Sequence, residues 1–193
     1  MLGLAVLALV FATAQAPAPP PTSSAPVVVR DATGASATLT ANGLFVRDAA
    51  GRTRTFVGLD NGKPSMDLRD AAGGLRSSMF LVDDVPYMRQ YDAKGTTRSQ
   101  LRLDSTSDGE FNLYDQNAKL RLGLFRTTGG DPQIGLYGSD EKLRAYFATD
   151  DTSPYLVMRD ASGTNRIYVG GYTDGSIGMN VRDSSNTIVW KAP

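Results

Sequence analysis

From Gly43 onward, apolar residues alternate with polar or charged ones in short runs, the two-residue period of half-buried strands. Successive runs are joined by a turn whose best-kept form is Asp-x-x-Gly-x-x-Arg, seen in DAAGRTR, DAAGGLR, DAKGTTR and DASGTNR. Asp suits the first position of a tight turn, and Gly supplies the positive φ that the turn or a following bulge needs. Phased on Asp48, Asp70, Asp92, Asp115, Gly138, Asp160 and Asp183, the intervals are 22, 22, 23, 23, 22 and 23 residues. That regularity predicts about seven β-hairpin repeats. DQNAKLR, GSDEKLR and DSSNTIV are degenerate copies, and RDATGAS around Asp31 reads as a shortened leading cap. Between the repeats, Asn61-Gly62 is a two-residue hairpin signal and Val82-Asp83-Asp84-Val85 is the same connection in weaker chemistry. The connections at Ser105 to Gly109 and Thr127 to Pro132 are longer.

The register follows from asking which pairing sets like against like, because a one-residue slip would move every side chain to the other face. A four-residue loop after each Asp, with a two-residue Asn-Gly turn, aligns Leu44, Val57, Met66, Met79, Met88, Leu101, Phe111, Leu124, Ile134, Phe147, Leu156, Val169 and Met179 in one cross-sheet row. Every member is apolar. On the opposite face the same register aligns Arg47, Arg54, Arg69, Arg76, Tyr91, Arg98, Tyr114, Arg121, Tyr137, Arg144, Arg159, Arg166 and Arg182. Beside that stripe lie Phe45, Phe56, Asp67, Phe80, Tyr87, Arg89, Glu110, Phe125, Tyr146, Tyr155 and Tyr168. The expected fold is all-β: an antiparallel meander of fourteen to sixteen strands. With one fully apolar face it should roll or close into a barrel- or sandwich-like sheet with the apolar row inside, or pair with copies of itself. Trp190, placed opposite Val181, would seal the end of that core.

Composition narrows the chemistry. Lys plus Arg and Asp plus Glu both total 20, so the net charge of zero points neither to nucleic acid nor to a membrane surface. There is no Cys and no His, which removes disulfides, thiol nucleophiles, Cys/His zinc sites and imidazole bases. Leu2 to Ala12 is an apolar run of signal-peptide length followed by small residues, although no Lys or Arg precedes Arg30. The domain reading is therefore a leader over 1–16, a Pro-rich spacer over 17–26 and one β-repeat domain over 27–193. Export to the periplasm, cell surface or extracellular space is the expected destination.

No catalytic motif emerges. The Asp-rich turns lack EF-hand or tandem-nonapeptide spacing, and Asp at a turn start is explained by its own backbone hydrogen bonds. The acids Asp67, Glu110, Glu141, Asp83-Asp84 and Asp150-Asp151 form no recognisable glycosidase pair, and neither Gly129-Gly130 nor Gly170-Gly171 precedes a helix. No cofactor is expected. The one feature that asks for a ligand is the stripe: Arg76, Tyr91, Arg98, Tyr114, Arg121, Tyr137 and Arg144 are the candidate binding residues, guanidinium forks for carboxylate, sulfate or phosphate and phenol rings for stacking. The alternative is a ladder of long Arg stems that covers the sheet and discourages aggregation.

The Tyr-Asp turns at Tyr91-Asp92 and Tyr114-Asp115 resemble the YD repeats of RHS-type bacterial surface and toxin-shell proteins, which carry a basic residue directly after the Gly, as only Gly51-Arg52 does here. Leader, spacer, Asp-x-x-Gly-x-x-Arg hairpins and the ending Val189-Trp190-Lys191-Ala192-Pro193 are similar to uncharacterised secreted or membrane-tethered bacterial repeat proteins over residues 44–193. The resemblance implies architecture and no activity. The functional expectation is a secreted or surface-tethered, non-enzymatic structural or adhesive protein. The alternative is a module binding polyanions or acidic glycans, with an extracellular polysaccharide or cell-surface component as partner, and an outer-membrane barrel is a remoter option.

Overall fold

The computed structural model describes residues 25–104, 107–127, 129–150, 153–172 and 174–192. The leader and all but the last two residues of the spacer lie outside them. Sixteen strands follow in order: β1 (Val27–Arg30), β2 (Ser36–Thr40), β3 (Gly43–Arg47), β4 (Thr53–Asp60), β5 (Lys63–Arg69), β6 (Leu75–Val82), β7 (Val85–Tyr91), β8 (Thr97–Leu103), β9 (Gly109–Tyr114), β10 (Leu120–Arg126), β11 (Pro132–Tyr137), β12 (Leu143–Thr149), β13 (Pro154–Arg159), β14 (Asn165–Gly171), β15 (Ile177–Arg182) and β16 (Ile188–Ala192). They form one antiparallel sheet in chain order, each strand hydrogen-bonded only to its sequence neighbours.

The apolar row is formed as the alternation predicts. Leu44 faces Val57, Val57 faces Met66, and the pairing continues strand by strand to Val169 facing Met179. It extends to Leu39 and Val27 at one end and to Ala192 at the other. The asparagine-glycine connection is a two-residue turn with both central residues at positive φ, and Asp83-Asp84 adopts the same conformation.

The expectation of closure is not met. β1 and β16 are edges, the sheet is neither a barrel nor a sandwich, and among the described residues no strand packs against anything but its neighbours in the meander. The apolar row therefore does not lie inside: ten of its thirteen members, from Phe111 at 36% to Phe147 at 53%, are exposed in the single chain. Trp190 does pair with Val181 but is half exposed on the edge strand, so it seals no core. Closure requires the two edges to meet, which depends on accumulated twist and curvature that alternation alone does not set.

The turn also differs in detail from the four-residue loop. Asp48 N–H donates to the Arg52 carbonyl and Gly51 N–H to the Asp48 carbonyl, a three-residue loop with its third residue at positive φ. Next to it Arg47 faces Thr53 while Val46 faces Thr55, so Arg54 is an extra, unpaired residue. The bulge restores the register that the apolar row requires. The same shift precedes Arg76, Arg98, Arg121, Arg144 and Arg166, so these arginines do not stand directly opposite the residues of the expected row.

Candidate functional site

The repeat makes its turn from the Asp outward. In the DAKGTTR unit, Asp92 Oδ1 accepts from the amides of Lys94 at 2.8 Å and Thr96 at 2.9 Å, and Asp92 Oδ2 accepts from the Arg98 guanidinium at 2.5 Å. One carboxylate thus satisfies two loop amides and holds the Arg six residues on. The pattern recurs at Asp70 with Arg76, Asp115 with Arg121 at 3.6 Å and Asp160 with Arg166. Where Gly138 replaces the Asp, Asp140 supplies the carboxylate to Arg144 at 2.6 Å. These bonds hold the turn acids below the usual carboxylate range. At Asp70, Asp92 and Asp115 the amide four residues on is the largest cause, and at Asp160, brought down to about 2, it is the Ser162 hydroxyl.

The bulged Arg reaches further, to the next Asp turn at the same ends of the strands. Arg76 donates to the Asp92 carbonyl, Arg98 to the Asp115 carbonyl, and Arg144 Nη1 to the carbonyls of Asp160 at 2.9 Å and Ala161 at 3.2 Å. Each such guanidinium ties two hairpins two strands apart, a spacing of about 9–10 Å. Like charges in line are tolerated because each carries its own carboxylate.

The seven candidate binding residues are accordingly lined up at the ends of β6–β12 that carry the Asp turns. Arg76, Arg98, Arg121 and Arg144 sit in the turn bulges, and Tyr91, Tyr114 and Tyr137 stand just before the turn on the face opposite the apolar row. The Tyr137 ring lies across Gly135, where an added Cβ would come within 3.1 Å of the ring, and burial pushes its phenol pKa up.

Toward the middle of this face the structure assembles groups that strand alternation identified only as a mixture. Directly opposed positions run Phe45, Phe56, Asp67, Ser78, Arg89, Gln100 and Asn112, and continue through Gly123, Gly135, Tyr146, Val157 and Tyr168 to Asn180. Phe56, Asp67, Ser78, Gln100, Asn112, Val157 and Asn180 are buried, as are Gly123 and Gly135, so most of the buried side chains along this line are polar. Asp67 is 5% exposed and accepts from Ser78 Oγ at 2.6 Å, Ser65 Oγ at 3.0 Å and Arg69 at 3.0 Å. Arg89 lies over the Phe80 and Tyr87 rings and donates to Gln100 Oε1 at 2.7 Å, while Arg102 donates to Glu110 at 2.6 Å.

In the last third of the chain the face becomes aromatic. Tyr146, Tyr155, Tyr168 and Tyr172 follow one another with ring centroids 6.0, 6.1 and 5.7 Å apart, flanked by Arg159 over Tyr146 and Lys191 over Tyr172. An open cleft of about 540 Å³ is lined by Asn165, Tyr168, Tyr172, Asn180, Arg182 and Asn186. Arg182 Nε donates to Asn180 Oδ1 and Asn180 Nδ2 to the Tyr172 hydroxyl, both at 3.3 Å. Tyr172 follows β14, and Asn180 and Arg182 lie on β15, so the three meet across one hairpin, with Tyr172 at the turn position that Asp holds in the better-kept repeats. Among the described residues no group of three or more acidic side chains converges as a metal site.

No family model matches the chain. No curated protein matches it either. Among solved structures it is similar to alternansucrase in complex with isomaltononaose, at 13% identity over 84% of this chain and 16% of that one, with a TM-score of 0.18. A likeness at that level carries no argument about fold or function. What the chain belongs to is thus described by its own architecture: a sixteen-stranded antiparallel meander with Arg–Asp ion pairs repeated at successive Asp turns.

Proposed function

We propose that this is a non-enzymatic structural or adhesive β-repeat protein of the cell exterior, exported by its leader and held out by its Pro-rich spacer. The repeated turn clamp carries the reading. Arg–Asp pairs, of which Arg76, Arg98 and Arg144 also reach the carbonyls of the next turn, stiffen an extended surface and engage these carboxylates and guanidiniums in structural bonds. Fractionation of producing cells, with an antibody against residues 27–193, tests it. Recovery from the cell surface or medium supports the proposal, and recovery only from the cytosol overturns it.

A second reading, binding of an acidic or neutral oligosaccharide, is favoured by the tyrosine run and the cleft beside Arg182. Aromatic faces and a few convergent amide and guanidinium groups are what such a site needs. A glycan array separates the two candidate locations. Loss of binding in Tyr168→Ala and Tyr172→Ala would place it at the cleft, whereas salt-sensitive loss in Arg98→Gln, Arg121→Gln and Arg144→Gln would place it on the stripe. No binding by the unmodified protein would remove this reading.

A further inference from the structure

We propose that the apolar face of the sheet is a self-association surface, covered in the working protein by the same face of a second copy; the inference names a partner for the surface protein proposed above and rests on that reading only for its setting.

The first observation is an excess of surface. A compact monomer of 20.6 kDa exposes about 8,900 Å², and this chain exposes 13,498 Å². Assigning the 24 residues before Ala25 the surface of a fully extended chain, about 3,300 Å², leaves about 10,200 Å² for the remaining ~18.3 kDa, against about 8,100 Å² for a compact domain of that mass, an excess of about 2,000 Å². Two such chains would have about 4,000 Å² to remove from water, within the range of obligate dimers. The second observation is where the apolar residues are. Among the described residues only Phe56, Ala148 and Val157 are buried hydrophobics. A core of that size does not hold a domain, so the missing core has to form between chains.

The chemistry of the face selects the occupant. The central apolar row and the row beside it, from Val46 to Trp190, contain no charged residue across any strand. The face spans fifteen strand spacings, about 70 Å, whereas the apolar run at the start of the chain reaches at most about 40 Å even when extended. The chain's own leader therefore cannot cover it. Stacking the polar face of another copy on it would desolvate Arg89, Arg159 and Lys191. Pairing of β16 with β1 of another copy would satisfy edge amides and leave the apolar rows in water. Only apolar face on apolar face meets all these conditions, with two sheets about 10 Å apart as in a sandwich. A two-fold axis between β8 and β9 would lay the methionines of β5–β7 over Leu124, Ile134 and Phe147, a pairing of adaptable with branched and aromatic side chains.

The absence of cysteine makes the test clean. Sedimentation equilibrium of the full chain should give the mass of two chains without detergent. Met79→Cys should react with a water-soluble maleimide about tenfold or more slower than Ser185→Cys in an exposed turn, and the protection should vanish in denaturant. Leu101→Cys, beside the axis and about 11 Å from its copy, should be cross-linked into a pair by a bis-maleimide of matching span. A folded monomer at all concentrations, an assembly of three or more chains, or a protein soluble only in detergent would each overturn the proposal. The mass of the unsubstituted chain decides even where a cysteine variant does not fold. A surface-located monomer would sink the pairing alone, and a cytosolic dimer would sink the functional reading alone.

Discussion

The two faces of the sheet solve opposite problems. On the polar face the chain supplies its own partners: Asp67 has two hydroxyls and a guanidinium, Arg89 has two rings and an amide oxygen, and Arg102 has Glu110. Most of the buried side chains along its central line are consequently polar. On the apolar face nothing within the described chain answers Met79 or Leu101, at 47% and 48% exposure. Hydrogen bonds between neighbouring strands can be completed within a single layer, whereas removing apolar surface from water needs a second layer. The difference assigns local specificity to one face and association to the other.

The sharpest way to break this contrast is Leu101→Glu. If the face is covered, the substitution forfeits about 2–3 kcal/mol of burial and adds a charge to the interface, so urea unfolding should shift to far lower denaturant and the assembly should dissociate. A change within experimental error would mean that the face stays in water. Next in size is Asp67→Ala on the polar face, which strands two hydroxyls and Arg69. It should cost about 2 kcal/mol, moderated because Arg69 keeps contact with solvent, without changing the mass of the particle. A fall in mass would show that the two faces are coupled.

Smaller effects come from the turns, which belong to both faces equally. Ala118 occupies the third loop position at φ 59°, where Gly95 sits at 80° in the better-kept repeat. Ala118→Gly should raise stability by about 1 kcal/mol, and Gly95→Ala should lower it by a similar amount, as read from thermal unfolding. The smallest effect is with acid. Asp160 is brought from 3.8 to about 2 by Ser162, the Thr164 amide and Arg166, so its contribution is complete above about pH 4 and is lost as pH falls toward 2. Urea midpoints should decline over that window, and less steeply in Asp160→Asn. An unchanged slope would move the acid sensitivity elsewhere.

Much of the fold is legible in the sequence because it is local. Alternation places each side chain on a face, and the two-residue turns at Asn61-Gly62 and Asp83-Asp84 set the pairing, so the row from Leu44 to Met179 follows from residue order. The arginine stripe is only half legible. The Asp and the Arg six residues later are visible as a motif, but the bulge that turns the Arg back to its own Asp and on to the next carbonyl depends on a loop one residue shorter than the pattern suggests. The Gly favours that shorter loop and the apolar row the longer one. A second irregularity at the Arg satisfies both.

Alternation places Tyr146, Tyr155 and Tyr168 on one face, but the stacking of their rings and the addition of Tyr172, which follows β14, show only in space. Gly123 and Gly135 are likewise opaque in the sequence. In space they are gaps over which the Phe125 and Tyr137 rings lie.

By itself, the order of residues determined the hairpins, their register and the separation of side chains into an apolar and a polar face, because each follows from period-two geometry and turn chemistry within a few residues. Tertiary structure alone decided that the sheet stays open in one layer, that the bulge arginines clamp successive turns, and that the buried line runs along the polar face. Those outcomes depend on summed twist and on contacts between strands, which no single repeat contains.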